Sequence, residues 1–349
     1  FRYPMQEEQT AAPFLLDFFE HVDLTALNID KKILHTFDQM TISKDTVTLL
    51  EQSEDRSFLR VIKFSQDEHS HIQSVFGSWP IIGTNVLCSH SVIIVNAGFK
   101  VQLFDLNTHE RIKAIDLPEL ARFWSLANNG NRIIFVCKKR VYFWDWDTSE
   151  KPQLYFELYD DMHEYRIMSY KADKSNKFHL VCGLTSVKGK LRGLIQLYSE
   201  EMKISQCIPA YSADFYEWNT SSGRKTTILC FVNKVENSVA IHSAELNDIL
   251  SPKKKRSKKL QPLYGTQYAE RELPPKRSND CPVIMYTSKD LPLLHVISKL
   301  GVYTLYELKS GRPIVEWKFS PQTFAVSYPL ANGVIGITRN GKVRKCENI

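Results

Sequence analysis

A short strand that follows a tight turn recurs along most of this chain, and this repeat constrains the fold more than any other feature. Each copy carries apolar, branched or aromatic residues, and successive copies lie roughly 40 to 55 residues apart, with one longer gap. The copies are Leu59–Ile62, Val101–Phe104, Val141–Trp144, Ile195–Tyr198, Val239–His242, Tyr303–Tyr306 and Val343–Cys346. Helical periodicity is nearly absent. Units of this size, each long enough for four strands, are typical of the blades of a β-propeller.

The turns and the chain ends complete this prediction. Most of the turns contain the Gly or Asn that a tight hairpin needs: Asn96–Gly98, Lys138–Arg140, Lys188–Lys190, Lys299–Gly301 and Arg339–Gly341. The sequence predicts an all-β, WD40-like propeller of seven blades over residues 13–346, after a disordered or tag-like stretch at 1–12. The apolar run Pro13–Phe19 is expected to join the last blade and close the ring. A two-domain β-sandwich is the competing architecture.

Composition excludes several classes of protein. The 349 residues are 43% hydrophobic and 11% aromatic, which supports a large core. The net charge of +6 is concentrated in one run, Lys253–Lys259, so a nucleic-acid-binding surface is not predicted. No stretch is apolar and long enough to span a membrane and the first residues do not resemble a signal peptide, so a soluble, intracellular protein is expected. The seven cysteines form no CxxC pair, which favours buried, reduced thiols over disulfides or a metal site.

The stretch Val92–Lys113 is the best candidate for a binding surface. Alternation places Lys100, Gln102 and Phe104 on one face of a strand, and it also places the cations that follow the next turn, His109, Arg111 and Lys113, on one face. An apolar floor with a cationic rim suits an extended peptide that carries leucine and acidic residues. The alternative is an ordinary solvated outer strand.

Five segments of the sequence resemble the N-terminal propeller of the clathrin heavy chain family, in order and at similar separations. They are Val92–Lys113, Phe123–Trp144, Gln196–Phe215, Ile297–Gly311 and Gly333–Ile349. The resemblance extends over nearly the whole chain. It implies that residues 347–349 begin a linker to a helical leg that this chain lacks.

This resemblance implies a function as well as a fold. The family's propeller captures short linear motifs of adaptor and accessory proteins during clathrin-mediated endocytosis and vesicle trafficking. The expected location is cytoplasmic and peripheral, on coated pits and coated vesicles, with an indirect membrane association. Clathrin light chain and other heavy chains would bind only through the leg, and the isolated domain is expected to be a monomer.

The family's best-known groove takes a clathrin-box peptide between the first two blades. The positions that match it are Ile93, Lys100, Gln102, Phe104, His109 and Arg111, with Lys113 adjacent. The resemblance pairs Arg111 and His109 with lysines and Lys100 with a threonine. Because a neutral imidazole attracts an acidic peptide less than an ammonium does, the groove is expected to have an altered preference.

Two further peptide sites follow from the same resemblance. Gln206 and Ile208 match a site between blades four and five. Phe37, Arg166 and Met168 match a site for tryptophan-bearing peptides at the top centre of the ring, with ordinary packing or rim positions as the alternative.

The basic run Lys253–Lys259 belongs to an insertion at about 250–279 that is expected between blades five and six. A solvated loop is one interpretation. Contact with anionic lipid is a second. A third is a nuclear-import signal, in which case the chain would be a nuclear or scaffolding propeller.

The sequence does not point to an enzyme. It contains neither a Gly-rich phosphate loop of the standard patterns, nor a Gly-x-Ser-x-Gly elbow, nor a His-Glu-x-x-His pair. No catalytic residue, metal or cofactor is predicted.

Overall fold

A computed structural model describes most of the chain. The described residues are 16–29, 40–64, 71–81, 84–127, 130–158, 166–187, 190–199, 201, 204–208, 210, 212–219, 225–235, 238–246, 269–272, 282–288, 291–307, 313–318 and 323–348. Of the residues predicted to bind peptides, Phe37 lies outside these ranges, as do the basic run Lys253–Lys259 and the N-terminal stretch 1–12.

Within these ranges the strands form seven four-stranded antiparallel sheets, which we call blades 1 to 7 in chain order. Blades 1 and 2 contain β2 (Met40–Ile42), β3 (Thr46–Ser53), β4 (Arg56–Phe64) and β5 (His71–Pro80), then β6 (Thr84–Cys88), β7 (Val92–Ala97), β8 (Lys100–Asp105) and β9 (Arg111–Asp116). Blades 3 and 4 contain β10 (Phe123–Ala127), β11 (Arg132–Val136), β12 (Arg140–Asp145) and β13 (Gln153–Glu157), then β14 (Arg166–Ala172), β15 (His179–Val187), β16 (Lys190–Tyr198) and β17 (Ile204–Ile208). Blades 5 and 6 contain β18 (Ser212–Asn219), β19 (Lys225–Val235), β20 (Ser238–Glu245) and β21 (Ala269–Glu272), then β22 (Pro282–Thr287), β23 (Leu293–Ser298), β24 (Val302–Glu307) and β25 (Pro313–Lys318). Blade 7 contains β26 (Phe324–Leu330), β27 (Gly333–Thr338), β28 (Lys342–Asn348) and the N-terminal β1 (Leu16–Asp23).

The blades pack side by side around a ring. Six apolar clusters of the described residues each join two neighbouring blades. Blades 5 and 6 meet through Thr287, whose N–H donates to Asp214 Oδ2 at 2.9 Å and whose hydroxyl donates to the Phe215 carbonyl at 2.7 Å. The prediction of an all-β β-propeller is confirmed, and the two-domain sandwich is wrong because the apolar core is divided among the interfaces between blades.

The N-terminal strand closes the ring. β1 pairs antiparallel with β28, so that Leu16 lies opposite Asn348 and Asp23 lies opposite Lys342. After β1, the short 3₁₀ helix Leu24–Leu27 begins, and the Asp23 carboxylate accepts the Thr25 N–H at 3.0 Å as its cap. The first and last strands therefore share one sheet, which leaves β28 without a free edge. The last strand also extends to Asn348, beyond the predicted boundary at residue 346.

Backbone hydrogen bonds define two ends of the propeller. At one end, which we call the inter-blade end, the turn between the second and third strands of a blade accepts a bond from the segment that follows the fourth strand. The Leu117 N–H donates to the Phe99 carbonyl at 2.6 Å, and the Leu158 N–H donates to the Lys139 carbonyl at 2.8 Å. The opposite end, which we call the hairpin end, carries the other two turns of each blade. There, the Leu106 N–H donates to the Ser91 carbonyl at 3.0 Å.

Two buried histidines form hydrogen bonds within their own blades. In blade 6, His295 forms hydrogen bonds with the hydroxyls of Ser288 and Tyr303 at 2.8 and 2.9 Å. In blade 4, His179 Nδ1 lies 2.7 Å from the Tyr170 hydroxyl. Burial lowers the pKa of each imidazole to about 4. Both are therefore neutral at physiological pH and act as hydrogen-bonding core residues.

The described cysteines agree with the prediction of buried, reduced thiols. Cys88, Cys137, Cys182, Cys207 and Cys346 are free and buried. Burial raises the pKa of the Cys88 thiol to about 11 and that of Cys137 to about 12. Among the described residues, no helix has the length and apolar character that crossing a membrane requires.

Candidate functional site

Three aromatic rings pack against one another where blades 1 and 2 meet, along the line that we call the blade 1–2 groove. Phe76 and Trp79 come from β5, and Phe104 comes from β8. The Phe104 ring meets Phe76 and Trp79 edge to face, with both ring centroids at 5.6 Å. Edge-to-face pairs of this kind stabilise each other beyond the area they bury. We call these three rings the aromatic floor.

A glycine in β5 lets two of these rings occupy the same face. Gly77 has a φ of 71°, and the register of β5 against β4 shifts at this point, because Leu59 lies opposite Phe76 whereas Ser57 lies opposite Trp79. The extra residue is a β-bulge, which changes the alternation of a strand. A Cβ atom on Gly77 would lie 1.9 Å from the Trp79 indole. At position 77, only glycine therefore fits without displacing the indole.

The third strand of blade 2 supplies the opposite wall. The Trp79 indole N–H donates to Gln102 Oε1 at 2.7 Å, which joins the two blades. Ile93 is fully buried behind Phe104 in the same apolar cluster. Gln102 and Phe104 face blade 1, whereas Val101 and Leu103 pack in the cluster that faces blade 3. The predicted alternation of β8 is therefore confirmed.

The turn after β8 carries His109 over the floor. Asp105 Oδ1 accepts the backbone N–H groups of Asn107 and Thr108, each at 2.8 Å. These bonds lower the pKa of Asp105 and fix the turn. His109 then takes a φ of 60°, and its ring stacks on Phe76 with centroids 4.4 Å apart and planes 8° apart. Its Nε2 lies 3.3 Å from Ser74 Oγ, so His109 contacts blade 1 through both its ring face and its ring nitrogen.

His109 is held in surroundings that disfavour its charged form. Partial burial lowers its pKa below the ordinary value of 6.5, and the nearby Lys63 ammonium lowers it further, against the raising effect of Asp105. Lys63 also donates to Asn107 Oδ1 across the groove. At neutral pH, His109 therefore offers the groove an aromatic surface rather than a positive charge.

The rim of the groove combines exposed apolar and cationic groups. On β5, Ile72 lies opposite Lys63 on the face that contacts blade 2, and it is 76% exposed. On β9, the exposed Arg111 lies directly opposite Phe104. Among the described residues no carboxylate lies within ion-pair distance of Arg111 or of the exposed Lys100. The blade 1–2 groove thus consists of the aromatic floor, Gln102 and His109, with Ile72 and Arg111 on its rim.

Lys100 lies at the far end of this groove from Arg111. It is the first residue of β8 and is paired with Asp116, whereas Arg111 is paired with Phe104 near the end of that strand. Four residues of a strand span about 13 Å, so the two cations bracket a length that holds roughly four peptide residues. The structure therefore brings the predicted residues Gln102, Phe104 and His109 together and places Lys100 at the opposite end.

The prediction that His109, Arg111 and Lys113 share one face is wrong. Leu103 lies opposite Lys113 and Phe104 lies opposite Arg111, so a bulge inserts one residue between the two cations and reverses the alternation. The Lys113 ammonium points to blade 3, where it donates to the carbonyls of Trp146 at 2.6 Å and Ser149 at 3.2 Å. Lys113 therefore lies outside the blade 1–2 groove.

The other predicted peptide sites receive less support from the described side chains. Gln206 and Ile208 lie on β17, the outer strand of blade 4, opposite Leu197 and Ile195. Ile208 faces blade 5 and is fully buried in the apolar cluster between the two blades. Arg166 and Met168 lie on β14, where the register shifts between Ile167 and Ser169.

The basic run itself lies outside the described residues, but the strands on either side of it are described. The third strand of blade 5, β20, ends at Glu245, and the fourth strand, β21, begins at Ala269. β21 pairs with β20, so Ala269–Glu272, which the prediction assigned to the insertion, form the fourth strand of blade 5. The short strand Ala269–Glu272 was missed because it lies in a charged stretch without alternation.

Sequence reasoning also missed the blade 1 side of the groove. Phe76, Trp79 and Ser74 contact predicted residues of blade 2, and Gly77 positions two of them. The Gly between two aromatic residues in a strand-like run was the available signal, since an isolated Gly in a strand often marks a bulge.

The fold and the site define a class of protein: a closed β-propeller with an aromatic groove between two neighbouring blades. No family model matches the chain. The chain is 24% identical to clathrin heavy chain of Drosophila melanogaster over 335 residues, which cover 95% of this chain and 19% of that relative. It is 25% identical over 332 residues to clathrin heavy chain 2 of Homo sapiens, covering 93% of this chain and 19% of the relative. It is also 24% identical over 334 residues to probable clathrin heavy chain 1 of Caenorhabditis elegans, covering 94% and 19%.

The predicted resemblance is thereby confirmed: over nearly its whole length the chain is similar to the N-terminal region of clathrin heavy chains. The chain spans about one fifth of the length of the curated relatives it matches. Its identity with them is low enough that side chains in any one groove can differ while the propeller is retained.

Proposed function

We propose that this chain is a terminal domain of a vesicle coat protein, and that its blade 1–2 groove captures short peptide motifs of the clathrin-box type. Similarity to clathrin heavy chains over nearly the whole chain supports the coat role. The observation that carries the peptide-binding role is the aromatic floor, bordered by the exposed Ile72 on one blade and the exposed Arg111 on the other. An apolar strip with an exposed cation at each end matches a peptide of large apolar residues with an adjacent acid.

The backbone of the groove suits an extended peptide. β5 and β9 are the fourth strands of their sheets, so each has one edge that no other strand of its blade covers. A peptide lying between them can bond to a strand edge while its alternate side chains point at the floor. The leucine side chains would pack on Phe76 and Phe104, and a carboxylate would pair with the Arg111 guanidinium.

The cellular role follows from weak, repeated contacts. A short motif loses conformational freedom when it binds, so one groove holds it weakly. Many copies of the domain on one vesicle coat would raise the effective concentration of motifs carried by an adaptor. We therefore place this protein on the cytoplasmic side of coated pits and coated vesicles, with adaptor and accessory proteins as its partners.

Two surface substitutions test the groove without disturbing the core. Ile72→Ser removes an exposed apolar side chain on the groove face, and Arg111→Glu reverses the rim charge. Burying part of an isoleucine contributes about 1 kcal/mol, so Ile72→Ser is expected to weaken an acidic, leucine-bearing peptide roughly five-fold. Arg111→Glu is expected to weaken it about ten-fold or more, as for a charge-assisted pair. Fluorescence anisotropy with a labelled peptide measures both.

Val75→Ser is the matched control. Val75 lies on the same strand, β5, and is 57% exposed, but it lies opposite Arg60 on the face towards blade 7. The Arg60 guanidinium donates to the Leu27 carbonyl at 3.3 Å, which fixes the direction of that face. Peptide affinity should stay within about two-fold of the wild type in this variant.

The double substitution Gln102→Ala/Phe104→Ala addresses the predicted residues directly, with one precaution. Phe104 is only 9% exposed, and Phe→Ala in a core costs about 3–5 kcal/mol, so the folded state of this variant has to be verified by circular dichroism. Unchanged peptide affinity in Ile72→Ser and Arg111→Glu would refute the groove assignment, whatever the double variant does.

A further inference from the structure

The inter-blade end of blades 2 and 3 exposes two large apolar side chains at the tips of loops. Phe99 lies in the turn between β7 and β8 and is 55% exposed. Leu120 lies in the segment between β9 and β10 and is 53% exposed. Neither contributes to the blade 1–2 groove or to an apolar cluster between blades. Exposed aromatic and leucine side chains at protruding loops are typical of surfaces that contact an apolar partner.

Backbone hydrogen bonds make these loops one continuous surface. The Leu117 N–H donates to the Phe99 carbonyl at 2.6 Å, which ties the segment after β9 to the turn of blade 2. The Arg122 N–H donates to the Val136 carbonyl at 2.8 Å, next to the Lys138–Lys139 turn of blade 3. We call the loops 98–100, 117–122 and 137–140 the loop patch.

Cations outnumber acids in and beside the loop patch. The cations are Lys100, Arg122, Lys138, Lys139 and Arg140, and the acids are Asp116, Glu119 and Glu157. Glu119 and Glu157 both pair with Arg140, at 2.7 and 3.7 Å, and Asp116 lies opposite Lys100 across the two strands. Among the described residues no carboxylate lies within ion-pair distance of Lys100, Arg122 or Lys138. The loop patch thus presents unneutralised positive charge around two exposed apolar side chains.

The same pairing of an apolar tip with a cation recurs on blade 6. Leu300, in the turn after Lys299, is 46% exposed and lies at the same inter-blade end, because the Thr323 N–H donates to the Lys299 carbonyl at 3.0 Å. The equivalent turn of blade 1 differs, since it carries the acids Glu54 and Asp55. Separate apolar tips flanked by cations at one end of the ring fit a broad anionic surface better than a single peptide.

We propose that the loop patch docks the propeller on an anionic lipid membrane. Phe99 and Leu120 would enter the interfacial region of the bilayer, and the adjacent cations would contact the lipid headgroups. This docking goes beyond peptide capture, and both can occur together. The groove's His109 lies in the turn between β8 and β9 at the hairpin end, whereas the loop patch lies at the opposite end of the same blade.

Vesicle flotation tests this docking with the full chain. The probes are vesicles of phosphatidylcholine alone and of phosphatidylcholine with about one third phosphatidylserine, the latter supplying the anionic surface of the proposal. Arg122→Glu/Lys138→Glu is expected to lower the partition coefficient on anionic vesicles at least about ten-fold, and Phe99→Ser/Leu120→Ser about five-fold. The matched control is Lys44→Glu/Lys151→Glu, which makes the same charge change with two exposed lysines at the hairpin end and should lower it less than about two-fold.

The basic run needs a separate arm because it could attract vesicles by itself. All substitutions are therefore repeated in a chain in which the six cations between Lys253 and Lys259 are replaced by serine. The patch variants should still show their loss in this background. If the run alone accounts for binding, or if the hairpin-end control loses as much as the patch variant, the proposal is overturned.

Fluorescence quenching tests separately whether the tip of the Phe99 loop enters the bilayer. Phe99→Trp should gain fluorescence that brominated lipids quench on anionic vesicles, whereas Ile72→Trp on the groove rim should not. No quenching at position 99 would overturn the proposal. Peptide affinity should be unchanged in Arg122→Glu/Lys138→Glu, so a failure of lipid docking and a failure of peptide capture are distinguished by the same set of proteins.

Discussion

Replacing Gly77 by alanine should damage the groove more than a backbone effect alone predicts. Gly77 has a φ of 71°, where a residue other than glycine costs roughly 1–2 kcal/mol. In addition, the new Cβ would lie 1.9 Å from the Trp79 ring and less than 3 Å from two further ring atoms. Overpacking of this kind costs typically about 1–3 kcal/mol, so we expect Gly77→Ala to lower the free energy of unfolding by about 2–5 kcal/mol.

Gly98 provides the matched control for this substitution. Its φ of 65° is nearly the same, but no heavy atom lies within 4 Å of the position that a Cβ would occupy. Gly98→Ala should therefore cost only the backbone contribution, about 1–2 kcal/mol. The difference between the two variants isolates the collision with Trp79.

Urea unfolding followed by circular dichroism measures both variants, and peptide anisotropy measures the consequence for the groove. Because the displaced indole can no longer hold Gln102 at 2.7 Å, Gly77→Ala should also weaken peptide binding, whereas Gly98→Ala should not. If Gly77→Ala costs no more stability than Gly98→Ala, Trp79 has room to move, and the proposed rigid aromatic floor is refuted.

Two further predictions concern charge. His179 and His295 have pKa values of about 4 in the folded protein and about 6.5 when unfolded, so the stability that their neutral forms provide is fully present above pH 6.5 and is lost as the pH falls towards 4. Protonation of each histidine should lower the free energy of unfolding by about 2 kcal/mol at pH 5 relative to pH 8. The urea midpoints of unfolding at the two pH values measure this effect, and equal midpoints would contradict it. Lys113→Met should cost roughly 1–3 kcal/mol of stability because two carbonyls of blade 3 lose their charged donor, but peptide affinity should stay within about two-fold of the wild type. A ten-fold loss of peptide affinity in Lys113→Met would instead indicate that Lys113 belongs to the groove.

The sequence predicts the propeller and one wall of the groove because both depend on local patterns. Strand alternation in β8 correctly assigns Gln102 and Phe104 to one face, and the apolar N-terminal run correctly supplies the strand that pairs with β28. Each of these follows from the period of two and from the need to cover a strand edge. The alternation needs no distant residue, and the edge argument needs only the requirement that the ring be closed.

The remaining features depend on bulges and on contacts between blades, which the pattern of apolar residues does not encode. One inserted residue in β9 turns Lys113 away from Arg111, and one in β5 places Trp79 beside Phe76. Ile208 reads as a surface position of an outer strand, yet neighbouring blade 5 buries it completely. Residues that pack across an interface between blades are far apart in sequence, so single-strand periodicity cannot identify their partners.

His109 shows how the fold sets the chemistry of the groove. The two N–H bonds to Asp105 fix a turn in which residue 109 takes a positive φ, a conformation that histidine adopts more readily than most residues. That conformation lays the imidazole flat on Phe76, and partial burial with the nearby Lys63 lowers its pKa. In the proposed groove at neutral pH, an acid would therefore be attracted by the exposed Arg111 at one end and the exposed Lys100 at the other, while the uncharged His109 adds an aromatic surface. We infer that the groove prefers a motif with an acid at an end of the apolar segment and an apolar or aromatic side chain against the His109–Phe76 stack.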